Sequence, residues 1–301
     1  MTPADPPILP FTGERFTPEC VREIWYEHMH RYAYAAPFAH GKRVLDAACG
    51  EGYGSALLAQ AGAEVLGIDI DEASVAHARS RYTAVPSLRF EQADVTALDH
   101  LADADFDLIV SFETLEHVQA QERMLAGFRR LLKPDGILLI SSPDKRTYSD
   151  ERGYHNEFHV RELYRDQFEA LLRTQFPAHR LYAQKLLFQS LLWDPDRAPT
   201  SASAATLHAD GRVAPTADYA ALYFLAVCAA DERLLPPVAA LHTFGDASES
   251  VYTHYNDEIR RHIAAGHRLI ALDQEIQELR ARLARAEALL AEQAHTQGRN
   301  P

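Results

Sequence analysis

Glu113, Glu116 and His117 fall within SFETLEHV (111–118), and their i, i+3, i+4 spacing would put all three on one face of a helix. Two carboxylates and an imidazole on one face form either a solvated surface or a site. Carboxylates held together repel one another, and near a buried pocket they are costly unless a cation lies between them. A mixed oxygen and nitrogen donor set suits Mg²⁺, Mn²⁺, Fe²⁺ or Zn²⁺. Further along, HNEFHVREL (155–163) supplies His155 and His159 as candidate fourth ligands. With no metal, His117 or His159 would serve as a general base. The bland alternative makes Glu113 a helix cap, leaves Glu116 in solvent and buries His117 in a hydrogen bond.

A second cluster reads Asp46-Ala-Ala-Cys-Gly50-Glu-Gly52-Tyr-Gly54. Glycines let a chain turn tightly and let its backbone approach a ligand before a helix begins. A β-rich run, RVLDAAC (43–49), leads into it, and the next, EVLGIDI (64–70), carries Asp69 nineteen residues after Gly50. An acid at that point would accept hydrogen bonds from ribose hydroxyls. Asp94 closes the third run, where a carboxylate could accept from an adenine amino group. The dehydrogenase pattern GxGxxG does not fit, because the glycines stand at 50, 52 and 54.

These residues need a scaffold, and the sequence shows one. Runs at 43–49, 64–70, 88–94, 106–112 and 136–142 alternate with amphipathic helical patterns such as RMLAGFRRLLKPDG. Strands alternating with helices imply an α/β, doubly wound, parallel sheet. Both clusters then sit where such sheets bind ligands, beyond the carboxyl ends of the strands. A helix over 18–39 precedes the first strand, with Thr17 as N-cap and Pro18 at its first position. Beyond 160 come a helix (161–174), a strand near 179–187, an Ala/Pro/Ser/Thr-rich flexible loop (194–218) and a buried strand, ALYFLAVCAA (220–229).

The string D-x-x-C-G-x-G-x-G resembles motif I of the class I S-adenosylmethionine-dependent methyltransferases, and LLKPDGILLIS resembles the approach to their fifth strand. The resemblance spans about residues 40–230. It implies a seven-stranded, mostly parallel sheet, with S-adenosylmethionine as methyl donor. Asp46, Gly50, Gly52 and Gly54 would surround the methionine moiety, with Asp69 at the ribose and Asp94 and Phe112 at the adenine. E-x-x-E-H with the later histidine segment and Arg165-Asp-Gln167-Phe168 is similar to a metal-dependent branch of that fold. This branch includes small-RNA 3′-terminal 2′-O-methyltransferases and ubiquinone-biosynthesis O-methyltransferases. The match makes His159 the fourth ligand beside Glu113, Glu116 and His117, with His155 in reserve and Mg²⁺ or Mn²⁺ as the metal. A divalent cation would lower the pKa of a sugar hydroxyl, so the cluster points to O-methylation.

FTGERFTPE, IWYEHMHRYAYA, ACGEGYGS, SFETLEHV and NEFHVREL together resemble methyltransferases found with bacterial polysaccharide and O-antigen assembly enzymes. That likeness implies a saccharide or glycan acceptor, and polysaccharide assembly enzymes as partners. The helix 18–39 would close over the donor as a lid, with Arg31 on the methionine carboxylate and Tyr26 or Tyr32 lining the pocket. An RNA 2′-hydroxyl, a quinone or catechol, and a non-catalytic scaffold role are the alternatives.

Composition narrows the class. Acidic residues outnumber basic ones, 43 to 30, for a net charge of −13, which argues against a general nucleic-acid surface. Cys20, Cys49 and Cys228 form no CxxC pair, so neither a disulfide framework nor a thiolate zinc site is expected. No signal peptide or membrane span is evident. The expected location is cytoplasmic, peripheral to the inner membrane through partners.

The chain therefore divides into a lead-in and lid (1–40), a methyltransferase domain (41–232) and a helical extension (233–301). In that extension Leu269, Leu272, Ile276, Leu279, Leu283, Ala286 and Leu290 alternate at spacings of three and four, an a/d seam. With Ile276 at a, Glu275–Arg280 and Arg282–Glu287 pair across a parallel partner. A homo-oligomer through a coiled coil at about 266–292 is expected.

Overall fold

The computed structural model describes residues 23–196 and 201–297. The lead-in, with Thr17, Pro18 and Cys20, lies outside the described residues, as does the stretch 197–200 of the predicted loop.

Seven strands form one sheet: β1 (Arg43–Ala47), β2 (Glu64–Asp69), β3 (Leu88–Gln92), β4 (Phe106–Ser111), β5 (Leu132–Pro143), β6 (Ala178–Gln184) and β9 (Tyr223–Ala229). Their order is β3-β2-β1-β4-β5-β9-β6. Pairings are parallel from β3 to β5, and β9 runs antiparallel to both its neighbours. This is the mostly parallel, doubly wound sheet that the strand–helix alternation implies. The short β7 (Thr206–Leu207) and β8 (Val213–Ala214) pair as a hairpin inside the segment read as a loop.

Helices cover the two faces: α1 (Glu23–Ala39), α2 (Tyr53–Gln60), α3 (Glu72–Arg81), α4 (Gln121–Leu131) and α5 (Arg165–Arg173). A strand buried on both faces sends successive side chains to opposite layers. Val44, Leu108 and Val110 accordingly join one core with Tyr32, Leu58 and Phe90. Leu45 and Ile109 join the other, with Met124, Phe128 and Phe168. Met124, Leu125, Phe128 and Leu131 of α4 are wholly buried at the helical spacing that makes one apolar face.

The chain divides into two units, Met1–Phe244 and Gly245–Pro301. In the second, α6 (Ser250–Gln297) is one helix of 48 residues, about 70 Å at 1.5 Å per residue. The predicted seam residues Leu269, Leu272, Ile276, Leu279, Leu283 and Leu290 are all exposed on it. Among the described residues no helix is long and apolar enough to cross a membrane.

Candidate active site

The strand order reverses between β1 and β4, the switch point at which open α/β sheets take ligands. Both strands leave it through residues in the left-handed region, Ala48 (φ 63°) after β1 and Glu113 (φ 51°) after β4. Non-glycine residues hold that conformation only where surrounding structure over-determines it, and such outliers concentrate at functional sites.

After β1 the glycines divide their work. Gly50 (φ 54°) donates its N–H to Asp69 Oδ2 at 2.8 Å, and a side chain built on it would meet nothing within 4 Å. Gly50 therefore faces open space. Gly52 and Gly54 instead make room for protein: a Cβ on Gly52 would lie 2.4 Å from the Phe90 ring, and one on Gly54 1.9 Å from the Tyr32 ring. Tyr32 is carried in by α1, and its hydroxyl donates to Asp46 at 3.0 Å. Ser55 Oγ donates to the same carboxylate at 2.6 Å. Burial pushes Asp46 up to about 7, against the pull of those two hydroxyls. Its side chain thus ties α1 to the glycine loop. Asp69 also accepts from the Asp71 N–H, while Asp94 is exposed and accepts from the Thr96 N–H and hydroxyl. Phe112 is buried edge-on against Tyr32, ring centres 5.0 Å apart.

The helical face expected at 113–117 is not there. Glu113 turns left-handed off β4, and Leu115–His117 is a single 3₁₀ turn closed by His117 N–H to Thr114 O and Val118 N–H to Leu115 O. An i, i+3, i+4 stripe needs α-helical winding, so the three side chains part. Glu113 accepts from Ser141 Oγ at 2.7 Å and lies 3.4 Å from an Arg31 nitrogen. Glu116 and His117 turn together toward His159 instead, and one ligand atom from each of the three lies within 4.8 Å of the others. His155 is exposed and stands outside this group.

The cluster is braced from behind. His117 Nδ1 meets the Phe158 carbonyl at 3.0 Å, and His159 Nδ1 meets the Glu162 carboxylate. Both contacts orient the rings with Nδ1 protonated and Nε2 turned to the other side, the usual arrangement behind metal-ligating histidines. Asn156 Nδ2 donates to His159 Nε2 at 3.0 Å, and Tyr148, from the π-helical turn Arg146–Asp150, stacks on the same ring. The Glu116 carbonyl accepts from the N–H groups of Val160 and Arg161, and Gln121 Nε2 donates to the Leu115 and Arg161 carbonyls. The two loops are stitched together by these bonds. Glu116 is 1% exposed, and its Oε2 has no hydrogen-bond partner among the described residues. Burial, then the charge of Glu113, raises its carboxyl well above the usual carboxylate range.

Arg31 joins the two halves. It is 1% exposed, its Nε donates to Gln184 Oε1 at 2.8 Å, and its guanidinium lies 4.6 Å over the Tyr223 ring. Neither NH1 nor NH2 makes a hydrogen bond among the described residues.

Residues 39–188 match a family model described as a methyltransferase domain. This chain carries a class I S-adenosylmethionine-dependent methyltransferase domain. Over 172 residues, 56% of the chain, it is 39% identical to a probable S-adenosylmethionine-dependent methyltransferase of Mycobacterium tuberculosis, covering 61% of that protein. A ubiquinone biosynthesis O-methyltransferase of Pseudomonas fluorescens is 36% identical over 103 residues, 34% of this chain and 44% of that protein. The chain thus spans less than two thirds of the length of these curated relatives. Among solved structures, the YcgJ protein of Bacillus subtilis aligns over 68% of this chain and all of that one, at 19% identity and TM-score 0.49.

The methyltransferase domain fits its donor at specific atoms. The open side of Gly50, the Asp69 carboxylate beside it and the buried nitrogens of Arg31 suit a ligand with ribose hydroxyls and a carboxylate. The donor set of Glu116, His117 and His159 suits a divalent cation, which would take the place of the Asn156 amide at His159 Nε2. Sequence reasoning passed over Glu27, Ser141, Tyr148, Asn156, Glu162, Gln184 and Tyr223. Only Glu162 left a signal, three residues after His159 in HVRE, where a carboxylate can steady an imidazole. The others reach the site through tertiary pairing of distant segments.

Proposed function

We propose that this protein transfers a methyl group from S-adenosylmethionine to a hydroxyl of a saccharide acceptor. A divalent cation, Mg²⁺ or Mn²⁺, is held by Glu116, His117 and His159, with Glu113 beside them. The observation that carries the proposal is the convergence of those three ligand atoms within 4.8 Å at the end of β4. They lie at the same switch point as the glycine loop.

S-adenosylmethionine supplies an electrophilic methyl group, and a sugar hydroxyl is a poor nucleophile at neutral pH. A divalent cation lowers the pKa of such a hydroxyl. The residues of the chain do the rest. Arg31 offsets the charge of Glu113 beside the cluster. Glu162 and the Phe158 carbonyl fix the two imidazoles as ligands, and only without a metal would His117 or His159 take the hydroxyl proton as general base. Polar groups surround this point: Glu113, Glu116, Tyr148 and Asn156. They match a hydroxyl-rich acceptor better than the apolar ring of a quinone.

A second reading, methylation of a phenolic small molecule, draws on the relatives named ubiquinone biosynthesis O-methyltransferases. A net charge of −13 weighs against an RNA acceptor. Retention of the glycine loop and of the whole acid–histidine cluster weighs against a non-catalytic scaffold. The exposed a/d face of α6, with complementary charges beside it, supports a second copy of this chain as its partner. Such a rod also suits docking to polysaccharide assembly enzymes.

Methyl transfer from S-adenosylmethionine, offered saccharides, a catechol and an oligoribonucleotide with and without chelator, tests the proposal. Saccharide methylation that chelator abolishes and Mg²⁺ or Mn²⁺ restores is the expected result. Turnover of the catechol or RNA alone would overturn the saccharide reading, and full activity in chelator would overturn the metal.

A further inference from the structure

An open pocket elsewhere in the same unit shares no lining residue with the acid–histidine cluster. Its volume is about 210 Å³, and it is walled by α1, the end of β6, the segment before β9 and residues 241–244. Clefts that take drug-sized ligands run to roughly 300–1,000 Å³, so this one suits a single ring.

The lining mixes ring faces with hydrogen-bonding groups. Tyr26, Tyr219 and Phe244 supply faces, while Glu27, Lys185 and Gln189 supply polar ends. The wall on the α1 side is preset: Phe244 stacks on His30 with ring centres 5.5 Å apart, and His30 Nε2 lies 2.9 Å from His242 Nδ1. Flat aromatic faces set against scattered donors and acceptors match a sugar, whose C–H face is apolar and whose rim is hydroxyl.

The pocket also leads to the cluster. Glu27 is buried in its wall; Arg31, held by the wall residue Gln184, lies 4.6 Å over the Tyr223 ring, which is 5.9 Å from that of Tyr148, and Tyr148 stacks on His159 at 5.3 Å. Gln184 also holds the Glu27 carbonyl. An aromatic wall thus runs from the pocket to the proposed metal ligands.

We infer that this pocket is a second saccharide subsite, which holds the sugar unit next to the one whose hydroxyl is methylated. The inference rests on the saccharide reading of the active site. It makes the acceptor at least a disaccharide, not a free monosaccharide.

The test is saturation-transfer difference NMR on the full chain, with maltose and cellobiose as sugar probes and n-octanol as the apolar probe. Ala217→Trp fills the pocket, and Tyr219→Ala removes an exposed ring; neither residue touches the cluster. Saturation of a disaccharide by the wild type, reduced at least fivefold in both variants, is the expected result. No disaccharide signal in the wild type, an unchanged signal in Ala217→Trp, or octanol alone displaced by the filled pocket would each overturn the inference. The assay reads binding alone, so disaccharide bound in the pocket without saccharide methylation would fault the acceptor assignment and leave the subsite standing.

Discussion

Glu162 sets the most selective test at the scale of single residues. A carboxylate behind a ligating imidazole orients the ring and raises its basicity, and losing it typically costs 10–100-fold in metal affinity. Glu162→Gln should therefore weaken Mn²⁺ binding by about that factor, while thermal stability stays near that of the wild type; calorimetric titration measures the first and thermal denaturation the second. Two other acids make the fold respond to pH. Burial raises Asp46 and Glu27 each to about 7 from ordinary carboxylate values. The folded chain then keeps protons that the unfolded chain has released, so unfolding free energy falls as pH rises. Their contribution is fully present below about pH 4 and is lost by about pH 7. Melting temperature should decline across that window, and Glu27→Gln should flatten the slope.

Secondary-structure elements give the glycine loop its sharpest prediction. Gly54 exists for the Tyr32 ring of α1, so Gly54→Ala must expel that ring and break its hydroxyl bond to the buried Asp46. A loss of about 3 kcal/mol is expected from overpacking and the lost Tyr32 bond together, since Ser55 alone would then hold the buried carboxylate. Gly50→Ala meets no neighbour and bears only left-handed strain, about 1–2 kcal/mol. Its stability loss should be the smaller, and its effect on S-adenosylmethionine binding direct. Denaturant titration and equilibrium dialysis separate the two variants. The glycine spacing was visible in the sequence, because strand, turn and helix signals flank it. Their division of labour was not, since Tyr32 and Phe90 arrive from other elements. The same limit explains SFETLEHV. Residue types pointed to a candidate site, and Glu116 and His117 do meet His159. The expected helical face failed because one left-handed residue, Glu113, resets the direction of the chain. Periodicity cannot show such a reset. The central strands were legible throughout, as near-continuous apolar runs with turn signals between them.

For the molecule as a whole, α6 carries its own prediction. Eight large apolar residues from Leu269 to Leu290 are exposed along it, six of them in the a/d seam, which suits a coiled coil between copies of this chain. The whole 301-residue chain with Leu279→Lys and Leu283→Lys should elute as a monomer in light-scattering chromatography, while the wild type elutes as an oligomer of fixed size. On the proposed function, methyl transfer needs the whole domain assembled: sheet, glycine loop, α1 and the braced acid–histidine pair of loops. The most direct measurement of that claim is saccharide methylation by metal-stripped protein, titrated with Mn²⁺, in the wild type and Glu116→Ala. The wild type should recover activity in proportion to Mn²⁺ bound at one site, and Glu116→Ala should lose both binding and at least 100-fold in kcat/KM. Full activity in the stripped wild type, or unchanged Mn²⁺ binding in Glu116→Ala, would contradict it.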